Sequence, residues 1–252
     1  MTNILITGAS SGIGAALANA YSMPGNHLVL CGRNRERLAA SAEHCRAHGA
    51  LVEEACFDIT RFDQMVAALK TADEQNPIDI AILNAGLGGS VPRQRAAQDV
   101  AGTIAMSAVN FTAPLVAANL LAQRMAERGA GRIVLMGSVA GFFPLPMAPA
   151  YSATKAGLAR FADALRLRLA HTGVGVTLVS PGFIDTPMSQ GLKQPRPFLM
   201  APDKAAAIIA RQIARGARHL IVPWQFAMVY GAAKLIPAAL IRAALQRLLR
   251  TG

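Results

Sequence analysis

Acidic side chains are scarce in this sequence: 14 Asp and Glu stand against 25 Lys and Arg, a formal net charge of +11. The imbalance is local. Residues 1–190 hold 15 basic and 13 acidic side chains, whereas residues 191–252 hold 10 and 1. That distribution argues against nucleic acid as a partner, because the basic tail also lacks the interleaved aromatics and the motifs with which proteins read bases. Cysteine is sparse. Cys31, Cys45 and Cys56 are odd in number and lack metal-ligand spacing, which favours free thiols in a reducing compartment over a disulfide or a metal site. Long apolar runs are missing too. The longest uncharged stretch near the C-terminus, residues 220–233, is shorter than the ~20 residues of a spanning helix and contains Pro223, so no transmembrane helix is expected. The opening MTNILITGAS has no basic segment, long apolar segment or small-residue cleavage site, so the protein is expected to be cytoplasmic rather than secreted.

What is abundant is apolar surface, at 53% of 252 residues, enough for one sizeable core. Short apolar runs at 3–6, 27–31, 51–57, 78–83, 132–136, 174–179 and 219–222 read as strands. Between them lie helix-period segments such as 15–21, 34–48 and 62–74. The alternation predicts βαβ units, and hence an α/β fold with a doubly wound parallel sheet in a single domain spanning 1–252. Residues 187–202, with four prolines, read as an inserted lid loop, and residues 223–252 as a basic amphipathic C-terminal extension.

The segment ILITGASSGIGAAL follows the first strand and opens the first helix. Gly8, Gly12 and Gly14 let the backbone turn tightly and approach a phosphate that the helix N-terminus stabilises. Their spacing is GxxxGxG rather than GxGxxG. The second strand ends in LCGRNRERL, where an NAD-binding fold usually places an acidic residue for the ribose hydroxyls. Here Gly32 is followed by Arg33, whose guanidinium can grip a 2′-phosphate, so NADP(H) is favoured over NAD(H).

In AYSATKAG, Tyr151 and Lys155 lie one helical turn apart on the same face. Bringing a phenol from its ordinary pKa near 10 towards neutrality requires about 4 kcal/mol. One ammonium ~4 Å away supplies about that much at an effective dielectric of ~20 before desolvation takes some back, so Lys155 suffices in principle to lower the Tyr151 pKa and equip it for proton transfer.

TGASSGIG at 7–14, NAG at 84–86, Ser138, YSATK at 151–155 and Asn110 in MSAVNFTAPL together resemble the short-chain dehydrogenase/reductase family over roughly residues 2–190. The resemblance implies a Rossmann-like domain, hydride transfer between a nicotinamide and a carbonyl or alcohol carbon, and a homodimer or homotetramer. It implies that Ser138 holds the substrate oxygen beside Tyr151, and that Asn110 supports a water and Lys155 in a proton relay. It also carries cofactor contacts to Ser10, Ser11 and Ile13 in the glycine turn, to Asp58 near the adenine, and to Asn84, Ala85 and Gly86 beside the ribose. In SPGFIDTPM the same resemblance assigns Pro181, Gly182, Ile184 and Thr186 to the nicotinamide carboxamide. Tyr151 and Lys155 complete both the catalytic and the cofactor set. Leu83 departs from the second asparagine that the family often has there, without disturbing the NAG turn.

The four-residue set Asn110, Ser138, Tyr151 and Lys155 favours an enzyme over a noncatalytic NADP-binding redox sensor, which needs no proton relay. Phe142, Phe143, Leu145, Met147, Met188, Leu192, Phe198 and Leu199 suit a bulky hydrophobic carbonyl or alcohol substrate, or pack beneath the lid. In the tail, Arg242, Gln246, Arg247 and Arg250 fall on one arc of a helical wheel, and Leu240, Ile241, Leu245, Leu248 and Leu249 fall mostly opposite. Such a helix more often packs on its own domain or a sister subunit than on an anionic membrane, the alternative that Trp224, Tyr230 and Lys234 support.

Overall fold

Apolar residues on both faces of every central strand require cover on both sides, and the chain supplies it by alternating strands with helices. The computed structural model describes residues 1–92, 95–192, 195–237 and 239–241. Seven strands form one parallel sheet: β1 (Thr2–Thr7), β2 (Asn26–Gly32), β3 (Leu51–Cys56), β4 (Ile80–Leu83), β5 (Gly131–Met136), β6 (Val174–Pro181) and β7 (His219–Val222). Their order across the sheet is β3-β2-β1-β4-β5-β6-β7. The chain starts at β1, winds outward to β3, then returns to lay β4 against the other edge of β1. That reversal leaves a crevice at the carboxyl ends of β1 and β4, the place where such folds bind ligands.

Helices α3 (Phe62–Gln75), α5 (Ala113–Arg128) and α6 (Pro149–Arg168) cover one face. Helices α1 (Gly12–Ala20), α2 (Arg35–Ala47) and α8 (Pro202–Ala214) cover the other. Residue alternation along β1 sorts the core: Leu5 points to the first layer, and Ile4 and Ile6 to the second. Asp73 of α3, its side chain fully buried, staples that helix to α5 by accepting from Arg124 and, at 2.9 and 3.0 Å, from Arg128. Helix α4 (Val100–Ser107) runs through a π-turn at Ala108–Thr112 into α5. The whole segment, Val100–Arg128, is long and apolar enough to cross a membrane by length and composition alone. Its Ala117, Leu121 and Met125 are buried in the core of this fold.

Two expectations need adjustment. The fourth strand begins at Ile80 rather than Ile78, because the Ile78 N–H is taken by the Asp73 carboxylate at 2.9 Å. Residues 187–202, expected as a loop, contain the short helix α7 (Pro187–Gln190), and Met200 pairs with Ile184 as an isolated bridge. The C-terminal extension begins as α9 (Gln225–Ala233), which ends before a turn at Lys234. Most of the amphipathic pattern expected beyond it, including Arg242, Gln246, Arg247 and Arg250, lies outside the described residues.

Candidate active site

The glycine turn sits at the carboxyl end of β1. Gly8 and Gly12 hold φ of +70° and +56°, left-handed positions that glycine takes at little cost. A Cβ on Gly14 would lie 2.1 Å from the Gly8 carbonyl oxygen, so α1 can start this close to the turn only without a side chain there. Ser11 precedes α1 without capping it, and the first turn holds no acidic residue. By contrast, α2 and α4 are capped by Asn34 and Asp99. The open amide end of α1 and its dipole fit an anionic diphosphate. Ser10 and Ile13 are half-buried beside it and Ser11 is exposed.

Arg33 stands exposed just past β2, with Ser10 packed by Gly32. Asp58, exposed after β3, accepts from the Thr60 N–H at 2.9 Å and its hydroxyl at 2.8 Å. Those bonds hold its carboxyl below the usual range, helped by the nearby Arg33 and Arg61 guanidiniums. A cation and a fixed anion therefore share this end of the crevice.

Thr7, to which the sequence alone assigns no role, joins the two central strands. Its buried hydroxyl accepts from the N–H groups of Asn84 and Ala85 at 2.9 and 3.1 Å. Asn84 returns a bond to the Thr7 carbonyl at 3.1 Å. The next residues are pinned by Asn110, buried in the π-turn: its Nδ2 donates to the Leu87 carbonyl at 2.8 Å and its Oδ1 accepts from the Leu87 N–H at 2.7 Å. Gly86 lies between this clamp and α6. A Cβ there would sit 3.4 Å from Asn110 Oδ1 and 3.8 Å from Lys155 Nζ.

Ser138 follows β5 and opens a 3₁₀ turn at Val139–Gly141. The turn folds back onto α6 because Gly141 lacks a side chain; a Cβ would lie 2.9 Å from the Lys155 carbonyl carbon. This fold-back places the Ser138 hydroxyl against the half-buried Tyr151 phenol, thirteen residues on in sequence. Ser138 Oγ also accepts from the Ala140 N–H at 3.1 Å. Lys155 is buried, donates to the Met136 carbonyl at 2.8 Å, and lies 5.8 Å from the centre of the Tyr151 ring.

The electrostatics differ from the expectation of a phenol acidified by Lys155. Burial pushes the Tyr151 pKa up, opposed by the neighbouring Ser138 hydroxyl, and burial brings Lys155 down to about 8. The physical reason is that the charged form of each group loses hydration in this site, a loss that the one Lys155 hydrogen bond to the Met136 carbonyl does not offset. The arrangement holds a protonated phenol beside a second hydroxyl.

The far wall is the segment after β6. Pro181 and Ile184 are buried, Gly182 donates to the Val222 carbonyl at 2.7 Å, and Thr186 starts α7. Helix α7 reaches both sides of the crevice: a Cβ on Gly12 would meet Thr186 at 3.2 Å, and one on Gly88 would meet Met188 at 2.6 Å. Phe142 and Phe143 do not simply line the opening, since Phe142 stacks on Tyr230 of α9 with centroids 4.1 Å apart and Phe143 meets the same ring edge-on. A cavity of about 250 Å³ adjoins the crevice, lined by Leu87, Gly89, Val91 and Met106 among others.

An open helix end at a glycine turn, with a serine and a tyrosine hydroxyl at the carboxyl edge of a parallel sheet, defines a nicotinamide-dependent oxidoreductase. Residues 2–197 match the short chain dehydrogenase family, and the chain belongs to it. It is 35% identical over 246 residues to an uncharacterized oxidoreductase of Myxococcus xanthus, covering 97% of this chain and 96% of that one. A short-chain dehydrogenase from Sphingobium yanoikuyae in complex with NADPH superposes with a TM-score of 0.83 at 31% identity, over 100% of this chain and 96% of that one. The bulky-bulky ketone specific alcohol dehydrogenase from Comamonas testosteroni gives 0.81 at 28% identity, over 100% and 95%.

Proposed function

We propose that this enzyme transfers hydride between NADP(H) and a hydrophobic ketone or alcohol, with Ser138, Tyr151 and Lys155 as its catalytic residues and Asn110 in support. The observation that carries the reading is the convergence of the Ser138 and Tyr151 hydroxyls above the buried Lys155, beside an uncapped helix end that suits a dinucleotide. When bound, the nicotinamide supplies or accepts the hydride. The amide end of α1 and the turn through Gly8, Ser10, Ser11, Gly12, Ile13 and Gly14 would hold its diphosphate. Arg33 would take the 2′-phosphate, Asp58 the adenine end, and Asn84, Ala85 and Gly86 the ribose. Pro181, Gly182, Ile184 and Thr186 would meet the carboxamide.

Two hydroxyls then fix the substrate oxygen. Tyr151 gives its proton to a carbonyl oxygen in reduction, a role served by a pKa that burial keeps high. As the proton leaves, the Lys155 charge beside the ring stabilises the phenolate. The space beside Gly86, between Asn110 and Lys155, would admit the relay water that returns a proton. Met188, exposed and set against Gly88 across the crevice, and the exposed Phe198 and Leu199 of the same segment favour an apolar substrate. The NADPH complex of the Sphingobium neighbour and the bulky ketones of the Comamonas neighbour support both choices. Family resemblance supports a homodimer or homotetramer.

The test is consumption of NADPH and of NADH by the purified protein with a panel of small and bulky ketones and aldehydes. The reading expects turnover of bulky ketones and at least about tenfold tighter NADPH binding, worth ~1.4 kcal/mol. No turnover of any carbonyl compound would overturn the enzymatic reading, and equal cofactor affinities would overturn the role of Arg33.

A further inference from the structure

Helix α9 and the residues that flank it carry two sets of apolar side chains. On one side, Phe226 and Tyr230 hold it to the body: Phe226 meets Phe198 edge-on at 5.4 Å and fills the space where a Gly182 Cβ would stand, and Tyr230 stacks on Phe142. Away from these contacts, Trp224 just before the helix, Met228 within it and Leu235 in the turn after it are 64%, 64% and 88% exposed. Val229, Ile236 and Leu240 are exposed next to them. Apolar side chains left exposed beside a helix that Phe226 and Tyr230 already hold to the body add nothing to its packing.

The charge of this part of the sequence selects its occupant. From Trp224 onward the sequence holds four Lys and Arg and no Asp or Glu, and the exposed Lys234 has its ammonium 4.6 Å from the Tyr230 ring centre. A second copy related by a two-fold axis would face these cations with the same cations, and no carboxylate on the segment could answer them. A bilayer with anionic headgroups answers the charge and takes the apolar side chains. We propose that α9 and the turn after it dock on an anionic membrane surface, with Trp224, Met228 and Leu235 at the boundary between headgroups and acyl chains.

The inner side of α9 touches Phe142, four residues beyond Ser138, so docking would set the active-site loop next to the bilayer. Access of a lipid-dissolved ketone from that side rests on the hydride-transfer reading; the docking itself does not.

Trp224 is the single tryptophan, so its fluorescence reports on this surface alone. The full-length protein is mixed with vesicles of phosphatidylcholine, with or without phosphatidylglycerol, and followed by sedimentation, emission wavelength and quenching by brominated lipid. With the anionic vesicles the protein co-sediments, its emission moves to shorter wavelength, and the lipid quenches it. Neutral vesicles do neither. Raising salt to ~1 M, where the Debye length is about 3 Å, weakens the binding. Exchanging Met228→Glu and Val229→Glu together keeps the reporter and lowers partitioning at least about tenfold. Both side chains are exposed, so the thermal midpoint of that variant stays at the parent value. Unchanged emission with anionic vesicles, or equal binding by the double variant, would overturn the proposal. So would a solution mass that drops in the double variant, which would give these side chains to a second copy. None of these readouts involves turnover, so the docking and the hydride-transfer readings fail separately.

Discussion

Replacing Lys155 with Met keeps an unbranched stem in the core while removing an ammonium whose burial opposes its charge. Burial brings the Lys155 pKa from 10.5 to about 8. The difference corresponds to about 3 kcal/mol at ~1.4 kcal/mol per pH unit. Below pH 8 both the folded and the unfolded chain hold the proton, and the folded state bears the whole cost. Between pH 8 and 10.5 the unfolded chain still holds a proton that the folded chain has released, so stability rises with pH. The variant lacks this dependence, although it leaves the Met136 carbonyl without the donor that now reaches it at 2.8 Å. That loss costs about 1–3 kcal/mol at every pH. Urea unfolding of cofactor-free protein at intervals from pH 7 to 10.5 separates the two effects. The parent should gain about 3 kcal/mol on the variant across that range. A stability difference that stays constant with pH would refute the argument that Lys155 is held charged against its surroundings.

Gly14→Ala brings a Cβ to 2.1 Å from the Gly8 carbonyl, so the turn must open. Stability should fall by about 1–3 kcal/mol and NADPH affinity should fall with it, read by unfolding and by fluorescence titration. Asp73→Asn breaks the buried staple between α3 and α5 and should cost about 3–5 kcal/mol at neutral pH. Burial raises the Asp73 pKa, but the hydrogen bonds from Arg128, Arg124 and the Ile78 N–H outweigh it and leave it below 3.8. Its stabilisation is therefore present above pH 3.8 and lost as pH falls through the lower folded value, an acid-unfolding limb that the Asn variant should lack. Arg33→Asp places a carboxylate where a 2′-phosphate would bind, and should invert or abolish the NADPH preference in paired affinity measurements.

The order of strands and helices could be read from the sequence because a parallel sheet covered on both faces needs short, continuous apolar strands. Residues 174–179 show the pattern, and β6 extends them only to Pro181. The start of β4 could not, since Ile78 is as buried as a strand residue and what removes it from the ladder is the Asp73 carboxylate. At the site, Tyr151 and Lys155 announce themselves by helical spacing, and Gly8, Gly12 and Gly14 by their place between strand and helix. Thr7 and Leu87 did not. Thr7 acts through backbone groups 77 and 78 residues away, and Leu87 is held by its own main chain, so neither side chain carries a local signal. A hydroxyl ending an otherwise apolar strand directly before the glycine turn was the available hint for Thr7. The pKa reversal was hidden for another reason: spacing reports that Lys155 and Tyr151 are close, but only the fold reports how dry their surroundings are.

The central claim is that Tyr151 passes a proton to the substrate oxygen. Single-turnover reduction of a reactive bulky ketone by the preformed NADPH complex, in the parent and in Tyr151→Phe, tests it most directly. The ring is kept and only the hydroxyl is lost, so NADPH should bind the variant as it binds the parent, while the rate of reduction falls at least about a hundredfold. A variant that binds NADPH and reduces the ketone at close to the parent rate would contradict the account.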